Sequence, residues 1–392
     1  MTTTHRKTAP TGIALPCGRR LRVLQLVQDL AFGGMERLVA AMAGSVDRSR
    51  FDLQVLTVSD LGHCGRDLPS HIPVHRAPPL PPWTMFWPAP LMRLLRRIEP
   101  DVVHTHLGIV WKGSIAARVA GVPRLVHTEH GRLDPDPWIA RTLLRVASRW
   151  VDVIVPVSRS LDAQLRDRIV PSSVKTEVIP NGVDTERFRP EASDEGFRAR
   201  LRIPAEAPII GSVGRLDPIK DYSLMLKAFS RLHSNWEAGP RPHLVIAGDG
   251  IERALLEQLT RELQLNATVH WLGWCDEILA VLNALSLFSL SSRSEGMSLS
   301  LLEAMSCGAC PVVTDVGGNA EVLGSVLSHR LVRERTADSL AAAWVRALSD
   351  REQLERDGLA ARQRVESDFS LRAMVRRYES LWMSGQGSDA SV

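Results

Sequence analysis

The sequence predicts an α/β protein made of two doubly wound domains, each with a parallel sheet and helices on both faces. Short apolar runs of strand length alternate with longer segments of helical spacing, an order typical of parallel strands joined by helices. The alternation stops once, near the middle of the 392-residue chain, and then starts again. A chain of this length can bury two cores, so we expect two domains of similar size.

The first half of the chain carries the first series of elements. The apolar run at 21–27 is interpreted as a strand, and the segment at 33–46 opens with glycines and continues with helical spacing. Further strands are predicted from similar apolar runs at 51–58, 100–108, 123–131 and 152–158. Helices are predicted between the later strands, at 113–121 and 140–151.

The second series begins after a connector at 178–196, where Asn-Gly, two prolines and polar residues interrupt the alternation. Strands are predicted at 208–214, 242–250, 268–274, 285–292, 310–316 and 329–332. Helices are predicted at 221–232, 252–265, 298–308 and 370–382. The resulting division is a disordered tail at 1–20, domains at 21–187 and 188–370, and a terminal segment at 371–392.

Composition narrows the class of protein. Apolar residues make up 44% and charged residues 23%, as in soluble globular proteins. The net charge of +4 suits an anionic ligand and is too small to indicate nucleic-acid binding. No apolar run reaches the roughly 18 residues of a membrane-spanning helix, and the N-terminus lacks the apolar core of a secretory signal. Five scattered cysteines, an odd number, indicate a reducing cytoplasm.

Cys307 and Cys310 form a C-x-x-C pair. Such a pair can be a redox centre or half of a metal site. The sequence has no second pair of this kind, and this one falls at a predicted helix-to-strand turn. A structural role for both cysteines is therefore favoured.

Ligands of open α/β sheets bind beyond the carboxyl ends of the strands, so the chemistry is expected in the loops that follow them. After the first strand, Gly33 and Gly34 stand at a helix start, where small residues let a ligand approach and helix amides favour anions. The pattern is not G-x-G-x-x-G, which disfavours a nicotinamide dinucleotide. A tight turn would explain these two residues equally well.

Four histidines follow two later strands of the first half. They are His104, His106, His127 and His130. Their H-x-H and H-x-x-H spacing on strands fits no common zinc pattern, so no metal site is predicted. His104 and His127 are interpreted as packed, hydrogen-bonded structural residues. His130 comes last before the loop and is the best placed to reach a substrate.

In the second half, Arg215 and Lys220 lie five residues apart across a proline turn that follows a strand. Arginine offers a bidentate fork and lysine a mobile point charge, a combination that suits a diphosphate. Two solvated surface cations are the alternative interpretation.

Two glutamates, Glu295 and Glu303, enclose an apolar stretch after another buried strand. Glu295 is expected in the loop before a helix, and Glu303 about one and a half turns inside it. The free amides at that helix start can hold phosphate oxygens, so one carboxylate lies on each side of a phosphate site. A nucleotide sugar has this layout, with ribose, diphosphate and sugar in a row. The predicted donor-binding residues of this segment are Glu295, Gly296, Met297, Ser298, Leu299 and Glu303.

In this order, the motifs resemble glycosyltransferase family 4, the retaining nucleotide-sugar transferases of the GT-B fold. The resemblance is carried by the E-x7-E pair, the "GR…K" segment, "IPNGVDTERF" at 179–188, "AGDG" at 247–250 and "GGME" at 33–36. It extends from about residue 21 to residue 382. It implies two Rossmann-like domains that face each other across a cleft, with a C-terminal helix that packs back on the first domain.

The resemblance also implies roles for the site residues. Arg215 and Lys220 stabilise the leaving diphosphate, Glu303 binds the ribose, Glu295 binds the transferred sugar, and His130 faces the reacting sugar. Gly34 belongs to the glycine loop that meets the diphosphate from the first domain. Transfer retains the anomeric configuration and needs neither a metal nor another cofactor.

Family members use UDP more often than GDP, so a UDP-sugar is the expected donor. The expected acceptor is a glycan, a lipid-linked glycan or a small molecule, in polysaccharide or glycoconjugate synthesis. The sequence departs from the family at Asp221, where a glycine or small polar residue is common, and at Met297, where phenylalanine is common. No carboxylate pair suited to double displacement is evident, and the donor phosphate is expected to take the acceptor's proton.

Two other functions fit the same motifs. A sugar-nucleotide epimerase of the same fold would share the cleft and would act on the donor without an acceptor. A non-catalytic scaffold that binds nucleotide sugars is the second alternative. It is disfavoured because His130, Arg215, Lys220, Glu295 and Glu303 are all present.

The segment at 78–100 suggests where the acceptor is found. It carries Trp83, Phe86 and Trp87 among prolines, followed by a run with leucines on one side and Arg93, Arg96 and Arg97 around them. A second basic stripe lies beside Trp138 and Trp150, and it consists of Arg141, Arg145 and Arg149. Aromatic residues beside cations suit a lipid headgroup surface, although buried aromatics beside solvated arginines fit equally well. We predict peripheral contact with anionic membrane at the inner face.

Overall fold

The structure is a computed structural model that describes residues 18–31, 33–59, 61–132, 137–192 and 195–384. The tail predicted at 1–20 therefore lies outside the described residues, except for its last three positions. The terminal segment predicted at 371–392 is described as far as Ser384.

Within the described residues, twelve strands form two separate six-stranded sheets, and all pairs of adjacent strands are parallel. The first sheet has the order β3-β2-β1-β4-β5-β6. Its strands are β1 (Leu21–Val27), β2 (Phe51–Thr57), β3 (Val74–Arg76), β4 (Val102–His106), β5 (Arg124–Glu129) and β6 (Val153–Pro156). The second has the order β12-β11-β10-β7-β8-β9. Its strands are β7 (Ile209–Val213), β8 (His243–Ala247), β9 (Val269–Gly273), β10 (Leu287–Leu290), β11 (Cys310–Thr314) and β12 (Leu331–Val332).

Helices connect the strands and cover the faces of both sheets. Those of the first half are α1 (Gly34–Ser45), α2 (Ala89–Ile98), α3 (Val110–Ala120), α4 (Trp138–Ala147) and α5 (Arg159–Arg168). The next are α6 (Glu195–Arg200), α7 (Tyr222–Ser234), α8 (Arg253–Glu262), α9 (Ile278–Ala284) and α10 (Leu299–Ser306). The last are α11 (Asn319–Leu323), α12 (Ala337–Ser349), α13 (Arg351–Asp368) and α14 (Leu371–Met383). None of the described helices is both long and apolar enough to cross a membrane.

The apolar runs become strands because both faces of each sheet are covered. Every residue of β4, β7, β8 and β11 is buried, so these strands are mainly apolar and do not alternate with solvent-facing residues. Polar members such as His104 and Thr105 of β4 are hydrogen-bonded inside the sheet. The first sheet is held in register by pairs such as Val23 with Val102. The doubly wound architecture predicted from the alternation is confirmed.

The edge strand β3 and helix α5 were not predicted from the sequence. Residues Val74–Arg76 are largely exposed, and a three-residue strand carries too short a pattern to be recognised. Helix α5 buries Leu161 and Leu165 within an otherwise polar segment, so its apolar stripe is only two residues long.

The C-terminal helix packs back on the first domain, as the resemblance implied. In α14, the ring of Trp382 lies edge-on to Phe51 of β2, with the ring centroids 5.7 Å apart. The Tyr378 hydroxyl lies 3.1 Å from Thr128 Oγ1 of β5, and Glu379 Oε1 accepts a hydrogen bond from Asp47 N at 2.8 Å. Apolar packing and polar contacts thus join the end of the chain to the first domain.

The two cysteines of the C-x-x-C pair lie at a helix-to-strand turn. Cys307 ends α10 and Cys310 begins β11, and both are buried and not disulfide-bonded. Burial raises the pKa of each thiol to about 12, so both remain protonated and unreactive at neutral pH. The geometry agrees with the structural role favoured from the sequence.

Candidate active site

The candidate site lies where the carboxyl ends of the two sheets face each other. From the first domain, Gly33 adopts an extended conformation and Gly34 begins α1. A Cβ atom on Gly34 would lie 3.2 Å from Leu299 Cδ1 at the start of α10. The N-terminal ends of α1 and α10 therefore approach each other across the domain boundary. Both present amides that favour an anion.

Lys220 and Glu295, predicted from separate motifs, are in direct contact. Lys220 Nζ donates to Glu295 Oε1 at 2.7 Å, and Ser292 Oγ donates to the same oxygen at 2.6 Å. Glu295 is almost completely buried and Lys220 is one-fifth exposed. The carboxylate is thus fixed in position by two donors, and the ammonium has further N–H groups for a ligand.

Arg215 occupies a more open position. Its Nε donates to Asp217 Oδ2 at 2.7 Å, and its side chain remains 65% exposed. Its charge acts on Glu36 of α1, where burial raises the pKa of the carboxyl and Arg215 opposes that rise. Arg215 therefore lies on the cleft side of the second domain, within electrostatic range of the first.

The segment from Gly296 to Leu299 connects Glu295 to α10. Ser298 caps the helix, since its Oγ accepts from Leu301 N at 3.4 Å. Met297 is buried, and its carbonyl accepts from Asn181 Nδ2 at 2.9 Å. A Cβ atom on Gly296 would lie 1.9 Å from His130 O, so only glycine allows these two backbones to touch. The loop that carries Glu295 is therefore pressed against the loop that carries His130.

Glu303 lies inside α10 and is buried, with Arg37 of α1 as its cationic neighbour. Arg37 Nη2 lies 3.5 Å from Glu303 Oε1, and the two residues belong to different domains. Burial raises the pKa of Glu303, while the charges of Arg37 and Arg187 lower it. These two arginines offset the cost of keeping a buried carboxylate ionised.

His130 is the last member of a chain of three buried or half-buried polar side chains. Gln25 Oε1 lies 2.6 Å from His106 Nε2, and His106 Nδ1 lies 2.9 Å from His130 Nε2. If the amide oxygen of Gln25 accepts, His106 donates to it and accepts from His130, which leaves His130 Nδ1 as an acceptor. Burial lowers the pKa of His130 to about 4, so its ring is neutral at physiological pH.

The other two histidines have structural partners. His104 Nε2 lies 2.7 Å from Thr128 Oγ1, and His127 Nδ1 lies 3.0 Å from Thr105 Oγ1. Both histidines are completely buried. Across the part of the chain that the structure describes, no group of three histidine, cysteine or acidic side chains is arranged to hold a metal ion.

Asp221 has a defined role where the sequence departs from the family. It adopts a left-handed conformation with φ of 51°, and its side chain caps α7 by accepting from Leu224 N at 3.3 Å. Its carboxylate also pairs with Arg293 and Arg335. The departure therefore shapes the loop next to Lys220 through a cap and two ion pairs.

For several residues of the site, the sequence pattern did not predict a functional role. Arg37 directly follows the "GGME" motif and was read only as part of a helix. Ser292 was read only as the end of a strand, and Gly317 and Gly318 were given no role. A Cβ atom on Gly317 would lie 1.7 Å from Glu295 O, which explains the glycine, but only the fold brings these residues together.

Both halves of the chain match models of one glycosyltransferase family. The model for glycosyl transferases group 1 matches residues 193–364, and that for Glycosyltransferase Family 4 matches residues 32–187. The chain belongs to glycosyltransferase family 4. The family predicted from the motifs is confirmed, and so is the class of enzyme.

Relatives of this glycosyltransferase act on different acceptors. It is 29% identical over 274 residues to the UDP-Gal:alpha-D-GlcNAc-diphosphoundecaprenol alpha-1,3-galactosyltransferase of Escherichia coli. The aligned region covers 67% of this chain and 70% of the relative. This chain is also 28% identical over 373 residues to the 2-deoxystreptamine N-acetyl-D-glucosaminyltransferase of Streptomyces fradiae. That aligned region covers 88% of this chain and 85% of the relative.

Solved structures share the fold of this glycosyltransferase. Anabaena Alr3699/HepE, determined in complex with UDP-glucose, superposes with a TM-score of 0.81 at 23% identity, over 93% of this chain and 100% of that chain. Sucrose-phosphate synthase from Thermosynechococcus elongatus superposes with a TM-score of 0.77 at 20% identity, over 93% and 99%. The GT-B fold is confirmed.

Proposed function

We propose that this glycosyltransferase transfers a sugar from a UDP-sugar to a sugar-containing acceptor, with retention of configuration and without a metal ion. The observation that carries the proposal is the contact of Lys220 with Glu295 beside the N-terminus of α10. This contact places a cation and a fixed carboxylate next to the free amides at the start of a helix. A nucleotide-diphosphate sugar offers the matching anion and hydroxyl groups.

The choice of UDP over GDP rests on the relatives. The Escherichia coli relative is named for UDP-galactose, and the structural neighbour HepE was determined with UDP-glucose. In this proposal Glu303 accepts hydrogen bonds from the ribose hydroxyls, which both nucleotides possess. The base itself is discriminated by groups outside the acidic pair.

The chemistry breaks the bond between the anomeric carbon and the diphosphate oxygen, and the electron pair leaves with the nucleotide. The acceptor oxygen forms the new bond on the same face, and its proton passes to the departing phosphate oxygen. Lys220, Arg215 and the amides of α1 and α10 stabilise the negative charge that develops there. Glu295 and neutral His130 hold the transferred sugar through its hydroxyls.

The proposal assigns to protein groups the charge stabilisation that a divalent metal supplies in other transferases. Two cations and two helix N-termini face the region where the diphosphate would lie. This arrangement supports transfer without a metal or another cofactor.

The function is tested by incubating the protein with UDP-glucose, UDP-galactose, UDP-N-acetylglucosamine and GDP-mannose, with and without candidate acceptors. We expect one UDP-sugar to give a product whose proton NMR spectrum shows the donor's anomeric configuration, at the same rate in EDTA. Conversion of a sugar nucleotide without any acceptor would indicate an epimerase. Binding without turnover under every condition would indicate a scaffold, and loss of activity in EDTA would refute metal independence.

We place the acceptor in the first domain, in a cavity of about 720 Å³ at the carboxyl ends of its strands. Leu80, Met85 and Trp111 line its apolar part, and Arg76 and Lys112 line its polar part. An acceptor with both an anionic and an apolar portion, such as a lipid-linked glycan, matches this lining. The name of the Escherichia coli relative, which includes a diphosphoundecaprenol acceptor, agrees with that class.

The surface around this cavity supports the proposal that the protein contacts the inner, cytoplasmic face of a membrane. Phe86, Trp87 and Trp138 are 78%, 56% and 68% exposed, so these three aromatics are not core residues. The side chain of Trp83 lies outside the described residues. Six exposed arginines lie on the same two segments, and they are Arg93, Arg96, Arg97, Arg141, Arg145 and Arg149.

Membrane contact is tested by co-sedimentation with liposomes. We expect the protein to bind anionic vesicles more strongly than neutral ones, and the binding to weaken with salt, since each arginine near an anionic surface contributes about 1 kcal/mol. Trp138→Ala should reduce binding, whereas Ile251→Ala, which removes an exposed apolar side chain of the second domain, should not. Equal binding to neutral and anionic vesicles, or none to either at low salt, would remove the membrane from the proposal.

A further inference from the structure

Glu321 lies on α11 of the second domain, but its carboxylate bonds to the first. Its Oε2 accepts from Arg159 N at 2.9 Å, and its Oε1 accepts from Ser160 N at 2.7 Å. These amides belong to the first turn of α5. A carboxylate at a helix N-terminus accepts strong hydrogen bonds and is favoured by the helix dipole. One domain thus supplies the cap of a helix in the other.

Helix α11 is itself held firmly, so Glu321 is presented by a fixed backbone. At its start, Asn319 Nδ2 donates to Thr314 O of β11 at 3.0 Å. At its end, Arg364 of α13 donates to Glu321 O at 2.9 Å and to Val322 O at 2.8 Å. A displacement of α5 would therefore be passed to α11 and not absorbed by a loose side chain.

The segment before α11 supports the loop that carries Glu295. Gly318 N donates to Gly296 O at 3.1 Å, and a Cβ atom on Gly318 would lie 2.4 Å from that same oxygen. On its other side Gly296 touches the backbone of His130. A continuous series of contacts therefore runs from α5 through Glu321 and Gly318 to the Glu295 loop and then to His130.

The seam between the domains is not filled by apolar side chains beside this cap. A cavity of about 510 Å³ lies there, and residues from several segments line it, among them Val178, Met297, Glu321 and Phe369. An open cavity contributes few packing contacts, so polar links such as the one made by Glu321 restrain this part of the seam.

We propose that Glu321 is a positioning residue for sugar transfer, which holds the two domains in the arrangement where Glu295 and His130 meet the same sugar. The inference rests on the proposed function and adds to it a residue outside the donor site. Glu321 acts through its hydrogen bonds to the backbone amides of α5.

The test compares Glu321→Ala with the wild-type protein in the transfer assay. We expect kcat to fall about tenfold or more, because a misplacement of about 1 Å between reacting groups has a large effect on rate. UDP affinity measured by calorimetry should change less than threefold, since Lys220 and Glu303 both belong to the second domain. Glu321→Gln keeps one acceptor oxygen, and its kcat should lie between the other two values.

Ser158→Ala is the matched control, because Ser158 Oγ caps the same helix from within the first domain by accepting from Leu161 N at 3.2 Å. It should lower the Tm through loss of this cap and leave kcat within twofold of wild type. A kcat within twofold of wild type in Glu321→Ala, or an equal loss of kcat in Ser158→Ala, would overturn the inference. Absence of transfer by the wild-type protein would instead refute the proposed function, so the two failures are distinguishable.

Discussion

Lys220→Ala is expected to lower kcat by about 10²-fold, while the affinity for UDP falls much less. Removal of one fixed donor to a developing negative charge costs about 2.7–4 kcal/mol in well-studied enzymes. Lys220 is suited to this role because Glu295 holds its ammonium at 2.7 Å in a region with little solvent, where electrostatic interactions are strong. Steady-state measurement of kcat, with UDP affinity by calorimetry, separates the two effects.

Lys227→Ala is the matched control for this experiment. Lys227 is exposed on α7, the helix that follows the Lys220 loop, so its removal changes the net charge equally without touching the site. Its kcat should equal that of wild type. If Lys220→Ala raises only KM and leaves kcat unchanged, the lysine binds ground state and transition state equally, and the assignment to the leaving group is wrong.

Glu303→Ala is expected to weaken UDP binding at least tenfold, which corresponds to about 1.4 kcal/mol or more. In the proposed site its carboxylate accepts hydrogen bonds from ribose hydroxyls, and charged acceptors form the stronger bonds of this kind. Calorimetry with UDP measures the loss directly. Circular dichroism should confirm that the variant remains folded, because the substitution also leaves Arg37 without its ion pair.

The same residue predicts a dependence of UDP binding on pH. Burial raises the pKa of Glu303 above that of an ordinary glutamate, so the group becomes protonated at a higher pH than usual as the solution is acidified. The protonated acid is a poorer acceptor, so UDP affinity should fall as the pH drops through that raised pKa. Glu303→Gln should bind UDP weakly and lack this part of the pH dependence.

Glu355→Ala is the control for both measurements, because Glu355 is exposed on α13 and pairs with a surface arginine, Arg351. It should bind UDP as the wild-type protein does at every pH. Unchanged UDP affinity in folded Glu303→Ala would contradict the ribose assignment.

Some parts of the site could be read from the sequence because they are local. Glu295 and Glu303 are separated by a fixed number of residues, and a helix that begins at Leu299 determines how far Glu303 lies from its start. The two-domain architecture could be predicted for a similar reason. A strand that is buried on both faces is mainly apolar, and helical spacing between such strands leaves few other architectures. The roles of the site residues themselves remain predictions.

Other parts could not be read because they join distant segments. Arg37 lies 266 positions from Glu303 in the chain, and Glu321 lies 161 and 162 positions from the amides that it caps. No local pattern distinguishes Arg37 from a solvated arginine on a helix. The exposure of Phe86 and Trp138 was equally undecided, since aromatics among prolines can pack inward or face solvent.

The sequence by itself determined the two-domain α/β architecture, the glycosyltransferase family and the segments in which the candidate residues lie. The architecture follows from burial patterns and short-range spacing, and the family follows from the resemblance of the motifs to those of its members. The tertiary structure decided which side chains meet: Lys220 with Glu295, Gly296 with His130, and Glu321 with α5. Such contacts depend on how the two sheets face each other, and that geometry results from the packing of the whole chain and from no single segment of it.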